Sequence, residues 1–504
     1  MLKQLFRTKS LDALVSEGKE PEHQLKRALG AFDVVMLGIG AIIGAGIFAT
    51  IGTAAAGDAL RPGAGPALML SFVLTGVACG FAALCYAEFA SMVPISGSAY
   101  TYSYGTLGEL VAWIIGWDLI IEYAVGNVAV AISWSNYFKT LVSGFGIIIP
   151  DWMSIDYRTA AKIPGLLEHA PHILGVPIVF NLPAFLIVAL ITVVLVIGIK
   201  ESARTTTVMV IIKLLVLGLF VVVGFYHVNP ANWVPFAPNG WKGVQAGAAV
   251  VFFAYIGFDA VSTVAEEVRN PKRDMPIGII GSLIICTIIY ILVAAVFTGI
   301  IPYKVLITKL ATSQSEPLTL AMQYANLGKH ADLIIGIIAF GSVIAHTAVL
   351  LVFQLGQPRI FFSMARDGLL PKTFAKVHPR FKTPVVTTIV TGIVVGVTAM
   401  FTTIDEMVDL TNIGTLFAFI LVCAGIIIMR KKDPDRPRPF KTPLVPLIPA
   451  LGIVACFYLI LGLPWITYIR FAGWLIIGMV VYFAYGFKHS RVRKDIANES
   501  NLPN

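Results

Sequence analysis

Five ionisable side chains sit where water is scarce. Asp118, Glu122, Lys213, Asp259 and His346 lie inside or at the rim of long apolar runs, and an ionisable group in such a run is costly enough to be read first as functional. Asp118 and Glu122 are four residues apart, on one face of a helix. They can hold protons or face a cation, or act as buried carboxylates hydrogen-bonded to a neighbouring helix. Lys213 is the one Lys or Arg that falls in no loop. It lies about eight residues into its run, roughly 12 Å at 1.5 Å per residue, too deep for its stem to snorkel out fully. Such a lysine can gain and lose a proton as its surroundings change, or remain a charged structural partner of a carbonyl or carboxylate. His346 can titrate near neutrality, although a lone histidine in such a run is more often a satisfied packing residue.

The second kind of chemistry belongs to the backbone. Gly38, Gly40, Gly44 and Gly46 cluster within one apolar run, and a second glycine, Gly257, interrupts another in Phe252-Phe253-Ala254-Tyr255-Ile256-Gly257-Phe258-Asp259. Gly44 to Ala49 matches the dinucleotide pattern G-x-G-x-x-A, but that fingerprint needs a preceding strand and a soluble βαβ unit. Gly40 and Gly44 form a small-xxx-small pair that suits close helix packing. The alternative is that both segments break in mid-membrane. Paired interruptions are the mark of transporter sites built from inverted repeats, with half-helix N-termini for a carboxylate and freed carbonyls for an ammonium. The candidate binding residues are then Ile43, Gly44, Ala45, Gly46 and Ile47 in the first break, and Phe253, Ala254, Tyr255, Ile256 and Gly257 in the second. Asp259, just past the second break, belongs to a gating network. A zwitterionic amino acid satisfies such a site, as would other small charged solutes.

These residues need a membrane around them. The chain has 504 residues, 57% of them hydrophobic and 13% charged, with mean hydropathy +0.83, which excludes a soluble globular protein. The net charge of +9 does not point to nucleic acid, because the positive charges sit in the loops. Cys79, Cys85, Cys286, Cys423 and Cys456 all fall in apolar runs as small packing residues. Runs of the roughly 20 residues that a ~30 Å hydrocarbon core requires predict twelve spans. They lie near 32–56, 66–92, 110–137, 182–199, 205–226, 244–265, 277–301, 333–356, 385–401, 410–429, 447–463 and 471–487, and they must be helices because an open sheet cannot span lipid.

With the N-terminus cytoplasmic, 27 Lys and Arg lie on that side and nine on the other, so both termini are expected inside. The first run is too long for a secretory signal. The expected units are a cytoplasmic N-terminal segment 1–30, a core 31–430, a basic cytoplasmic loop 431–446, two helices within 447–487 and a cytoplasmic tail 488–504.

Gly44-Ala45-Gly46-Ile47-Phe48 resembles the G-S/A-G-I/V-F motif of the amino acid-polyamine-organocation transporters. Tyr86, Glu88, Pro94, Gly97, Tyr100 and Gly116-Trp117 resemble their second and third helices. Gly257-Phe258-Asp259, Glu266-Glu267-Val268-Arg269-Asn270-Pro271 and Met364-Ala365-Arg366-Asp367-Gly368 resemble the cationic amino acid transporter branch, over about 25–430. The chain departs from mammalian members of that branch, for which fourteen spans are expected, and the choice between neutral and cationic side chains stays open.

The resemblance implies an all-α membrane protein of twelve transmembrane helices, with a 5+5 inverted-repeat, LeuT-like core and two additional C-terminal helices. It implies that Phe253 gates the substrate, where core packing is the alternative, and that Glu122 matters in the cationic branch. It also implies that the Lys213 ammonium takes the place of a sodium ion between the first, fifth and eighth helices, which makes Lys213 the proton-coupling residue, with Glu122 second.

No H-E-x-x-H, G-x-S-x-G, Cys/His cluster or nucleotide-binding loop is present, so neither an enzyme nor an ATP-driven pump is expected. A channel would conduct without saturation. A transporter-like sensor would carry a soluble output domain, and 17 residues follow Phe487. The expected protein is a proton-coupled transporter of L-amino acids in a bacterial-type plasma membrane, with amino acid exchange as the alternative. It would use no cofactor or metal beyond the coupling proton. Its partners would be the substrate and membrane lipid but no nucleic acid, and a small membrane-protein partner is left open.

Overall fold

Apolar runs of this length can hide their backbone amides from lipid only by coiling, and they do. The computed structural model describes residues 2–9, 27–93, 98–198, 203–312, 316–381 and 383–493. Pro94, Gly97, most of the N-terminal segment and the tail beyond 493 lie outside the described residues. Among those described, seven helices are long and apolar enough to cross a membrane, or eight when the bent pair Ala31–Ile42 and Gly46–Ala56 counts as one. Among the described residues the one sheet is a two-stranded antiparallel pair in a loop, His172–Ile173 with Val176–Pro177, and the rest of the regular structure is helical, as the all-α expectation has it.

The predicted spans differ from the helices at informative places. Leu182–Ile197, Val385–Phe401 and Leu447–Ile460 are apolar but have only 16, 17 and 14 residues, short of the ~20 needed to cross ~30 Å unaided. The sixth predicted span is broken between Gly240–Val251 and the 3-10 turns of Ala260–Glu267. The eighth runs on to Arg366 rather than ending at Gly356, carrying Pro358 inside it. Arg359 and Arg366, predicted as loop charges, therefore ride on a helix. The last apolar helix starts at Trp465 rather than Phe471.

Small residues set the closest helix contacts. A Cβ on Gly278 would lie 2.1 Å from Val34, and one on Gly341 would lie 2.2 Å from Val216, so these helices pack nearly backbone to side chain. Helix Pro271–Ile300 is thereby seated on Ala31–Ile42 and on Leu68–Met92, and helix Ala331–Arg366 on Gly126–Ser143 and Ala203–Phe225.

Ion pairs, some buried and some at the surface, sort the loops into two faces. On one face Arg61 pairs with Asp58 and Asp409, and Arg158 and Arg470 share Glu406. On the other, Arg430 grips Glu88 through two nitrogens at 2.8 Å, and the Thr442 amide donates to the same carboxylate. Lys9 meets Asp367 at 2.6 Å, and the Tyr100 hydroxyl donates to that carboxylate. Glu109, fully buried, accepts from the Gln4 amide, the Tyr104 and Tyr482 hydroxyls and the Ser490 hydroxyl. Residues from near both ends of the chain thus converge on one carboxylate.

Candidate functional site

Helix Ala31–Ile42 stops because Ile43 turns to extended backbone, φ −77° and ψ 106°. The chain resumes in a π-helical turn, Gly46–Thr50, and continues as Ile51–Ala56, bent by 40° from the first half. Stopping a helix leaves its last carbonyls without intrahelical partners. Here they meet Lys213: its Nζ donates to Gly40 O at 2.8 Å and to Ile43 O at 2.9 Å, and the side chain is fully buried.

The second break follows the 3-10 turn Phe252–Ala254 and centres on Gly257, whose φ of +119° lies in the region that favours glycine. The Asp259 carboxylate accepts from the Gly257 amide at 3.3 Å. The two breaks touch. A Cβ on Gly46 would lie 2.1 Å from Ala254 Cα, and one on Gly257 would lie 2.7 Å from Ala41 O. The Tyr290 hydroxyl sits against both, 3.1 Å from Ile42 O and 2.8 Å from Ala254 O.

The structure therefore brings together most of the predicted residues. Ile43, Ala45, Ile47, Ala254 and Ile256 are buried at this junction with Gly44, Gly46 and Gly257, and Phe253 is 5% exposed. The glycine cluster serves packing and breaking at once, since Gly40 lies against Val210 beside Lys213 and Gly44 against Val349. The segment that leads into Gly44 is the helix Ala31–Ile42, and among the described residues no strand precedes it, so the dinucleotide match is void. Tyr255 is the exception: its hydroxyl donates to Phe72 O at 2.8 Å and fastens the break to a neighbouring helix.

Glu122 lies in a π-helical turn, Ile121–Val125, facing Asp259 and Thr415, with Asp118 one turn away. The two oxygens of Asp118 and the hydroxyls of Tyr86 and Tyr123 have no hydrogen-bond partner among the described residues. His346 is held at both nitrogens. Nδ1 is 2.6 Å from Ser342 O, which can only accept, so Nδ1 carries the proton. Nε2 then accepts from the Ser133 hydroxyl at 2.6 Å. Its packing role is real.

Beyond the first break, on the face of Arg61 and Arg158, opens a cleft of about 380 Å³. Ala49, Thr53, Ser133, Tyr137, Arg158, Lys162, Glu316 and Asp405 are among its walls. Glu316 accepts from the hydroxyls of Thr140 and Thr319, and burial pushes its carboxyl up to about 7. At the cleft floor the Tyr137 hydroxyl donates to Phe48 O at 2.6 Å. Tyr290, Ser133, Tyr137 and Glu316 were missed in the sequence, because a hydroxyl in an apolar helix, or one glutamate in a loop, carries no spacing signal.

Comparison with known proteins gives a consistent result. The profile of the family described as amino acid permease matches residues 29–485. A branched-chain amino acid permease, BcaP, of Bacillus subtilis (strain 168) is 49% identical over 490 residues, 97% of this chain and 99% of that protein. A methylthioribose transporter of the same organism is 45% identical over the same shares. The vacuolar cationic amino acid transporter 4 of Arabidopsis thaliana is 37% identical across 86% of this chain and 68% of its own length.

Proposed function

The chain belongs to the amino acid permease family, and from that premise we propose that it carries L-amino acids across the plasma membrane by alternating access, in symport with protons. The observation that carries this reading is the buried Lys213 ammonium on Gly40 O and Ile43 O. As a cation it ties the broken helix to the scaffold; as a neutral amine it has one fewer proton to donate and no charge to hold the break, so protonation and the shape of the site change together. Backbone amides at Gly44 to Ile47 would take the substrate carboxylate, carbonyls near Phe253 to Gly257 its ammonium, and Phe253 would close over it.

In this reading the twelve predicted spans form a 5+5 inverted-repeat core with two further helices, and the cleft faces outward from a bacterial-type membrane with both termini inside. The name of the B. subtilis relative BcaP favours a branched apolar side chain. Glu122 and Asp259, two buried carboxyls that face each other, favour a cationic side chain as the second reading. Uptake of labelled leucine and labelled arginine into proteoliposomes, with and without an imposed inward proton gradient, decides among these. Gradient-driven leucine accumulation is expected. One-for-one exchange with no response to the gradient would establish an exchanger instead. Lys213→Ala should abolish gradient-driven accumulation while retaining exchange; full accumulation in that variant would end the coupling role.

A further inference from the structure

Each break leaves the last carbonyls of a helix short of intrahelical partners, and at each a side chain from a distant helix answers them. At the first break it is Lys213, on helix Ala203–Phe225. At the second it is Asn412, on helix Ile404–Lys432. Its Nδ2 donates to Ala249 O at 2.8 Å and to Val250 O at 3.3 Å. These carbonyls belong to two of the last three residues of helix Gly240–Val251, immediately before the turn Phe252–Ala254. The spacing along the chain repeats as well. Lys213 stands 173 and 170 residues from its two carbonyls, and Asn412 stands 163 and 162 residues from its own. Asn412 is therefore the counterpart of Lys213 at the second break, with an amide where the lysine has an ammonium.

Packing alone does not account for this amide. Asn412 is fully buried, and its Oδ1 meets no donor among the described residues. Enclosing an unmet acceptor is costly, and a leucine, similar in shape, would avoid that cost. What the amide supplies is two N–H protons, one for each carbonyl. The neighbouring donor cannot do as much. The Thr75 hydroxyl lies 3.0 Å from Ala248 O and 2.9 Å from Ser71 O, with a single proton for both.

We propose that Asn412 is a positioning residue for substrate binding, a proposal that rests on the reading of the two breaks as the substrate site. It fixes the end of the outer half of the sixth helix, so that the carbonyls beyond it, from Phe253 to Gly257, stand ready for the substrate ammonium whether Lys213 is charged or not. An amide has no proton to lose across the physiological range, so this cap holds while the one at the first break can let go. The ionisable groups near it come from several elements. Asp409, one turn earlier on the same helix, is paired with Arg61. The third helix brings Asp118 against Gly414 and Glu122 toward Thr415, the sixth brings Asp259, and the second brings Tyr86 against Phe419. Arg470, on helix Trp465–Val481, is held by Glu406. None of them bonds to Asn412.

The test is equilibrium binding of the labelled amino acid that the wild type accumulates best, on purified full-length protein selected as folded by size-exclusion chromatography. Asn412→Leu removes both donors and is expected to weaken binding by about tenfold. Asn412→Asp is the closer replacement in shape. As a neutral acid it donates one hydrogen bond; ionised, it donates none and turns a negative charge toward the carbonyls. An enclosed carboxyl takes its neutral form in acid. This variant should therefore bind within about threefold of wild type at about pH 5 and fall toward Asn412→Leu by about pH 9. Wild-type affinity in Asn412→Leu, with binding lost in Gly46→Leu, would overturn the cap and leave the site standing. Wild-type affinity in both would overturn the cap together with the site on which it rests. Binding by Asn412→Asp at about pH 5 as weak as that of Asn412→Leu would also overturn the proposal, because the donor would then be irrelevant. If Asn412→Leu fails to fold, Asn412→Asp decides alone, and a constant affinity ratio to wild type across the two pH values overturns the proposal.

Discussion

The two breaks at the centre of this molecule are built by opposite means. The first, at Ile43 to Gly46, leaves the helix through the extended backbone of Ile43 without any positive φ, and its loose carbonyls are held by an ammonium and a phenol from other helices. The second, at Ala254 to Asp259, is written into its own backbone by the positive φ of Gly257 and the return bond from its amide to Asp259. A break held by a removable charge can change with protonation. A break set by covalent geometry cannot, and is better suited to be the fixed partner against which the first one moves.

That contrast can be broken most severely at the contact between them. Gly46→Leu would drive a side chain into Ala254 Cα, 2.1 Å from where its Cβ must lie. Because backbone cannot yield as a flexible side chain can, the cost should reach or exceed the usual 1–3 kcal/mol of overpacking. Binding of every substrate should be lost alike in equilibrium binding measurements on purified protein. Normal affinity would place the site elsewhere.

Tyr290→Phe is the gentler cut, since it keeps the ring and removes only the hydroxyl that touches Ile42 O and Ala254 O. Losing a buried hydrogen bond should cost about 0.5–1.5 kcal/mol, seen as a lower melting temperature. Transport should slow by less than about tenfold, because each 1.4 kcal/mol is one factor of ten. A defect equal to that of Lys213→Ala would show that the phenol, not the ammonium, sets the first break.

The smallest effect belongs to the cleft. The Glu316 carboxyl is raised in the folded protein from 4.5 to about 7, so the fold binds its proton more tightly than the unfolded chain does. The stability from this group is complete below pH 4.5 and is lost as pH rises through about 7. Glu316→Gln should therefore flatten the decline of melting temperature across that window. An unchanged slope in scanning fluorimetry would assign it to other groups.

The parts of this architecture that could be read from the sequence share a physical trait. Glycines clustered in an apolar run, and a lone lysine in another, violate what lipid tolerates, and such violations are visible without coordinates. Lys213 on the carbonyls of the first break is one; the contact of Gly46 with Ala254 joins two others. Tyr290, Ser133 and Tyr137 violate nothing, because a hydroxyl can satisfy itself locally, and only the fold shows that theirs reach other helices. Helix ends failed for a related reason. Arg359 marked the end of a span only on the assumption that charge means loop, whereas the helix carries Pro358 and Arg359 onward to Arg366. Glu122 was legible as costly but not as the neighbour of Asp259, since 137 residues separate them.

The carboxylate of Glu109 has a consequence for the order in which the molecule is made. A chain emerges from the ribosome N-terminus first, so Gln4 and Tyr104 are ready long before Tyr482 and Ser490 exist. Until those last residues arrive, a buried acid lacks half of its donors, and an undersatisfied carboxylate is expensive to enclose. Closure of this end of the bundle is therefore a late event in biosynthesis, and a chain cut short before Tyr482 would carry its defect at the opposite end of its own sequence, beside Gln4.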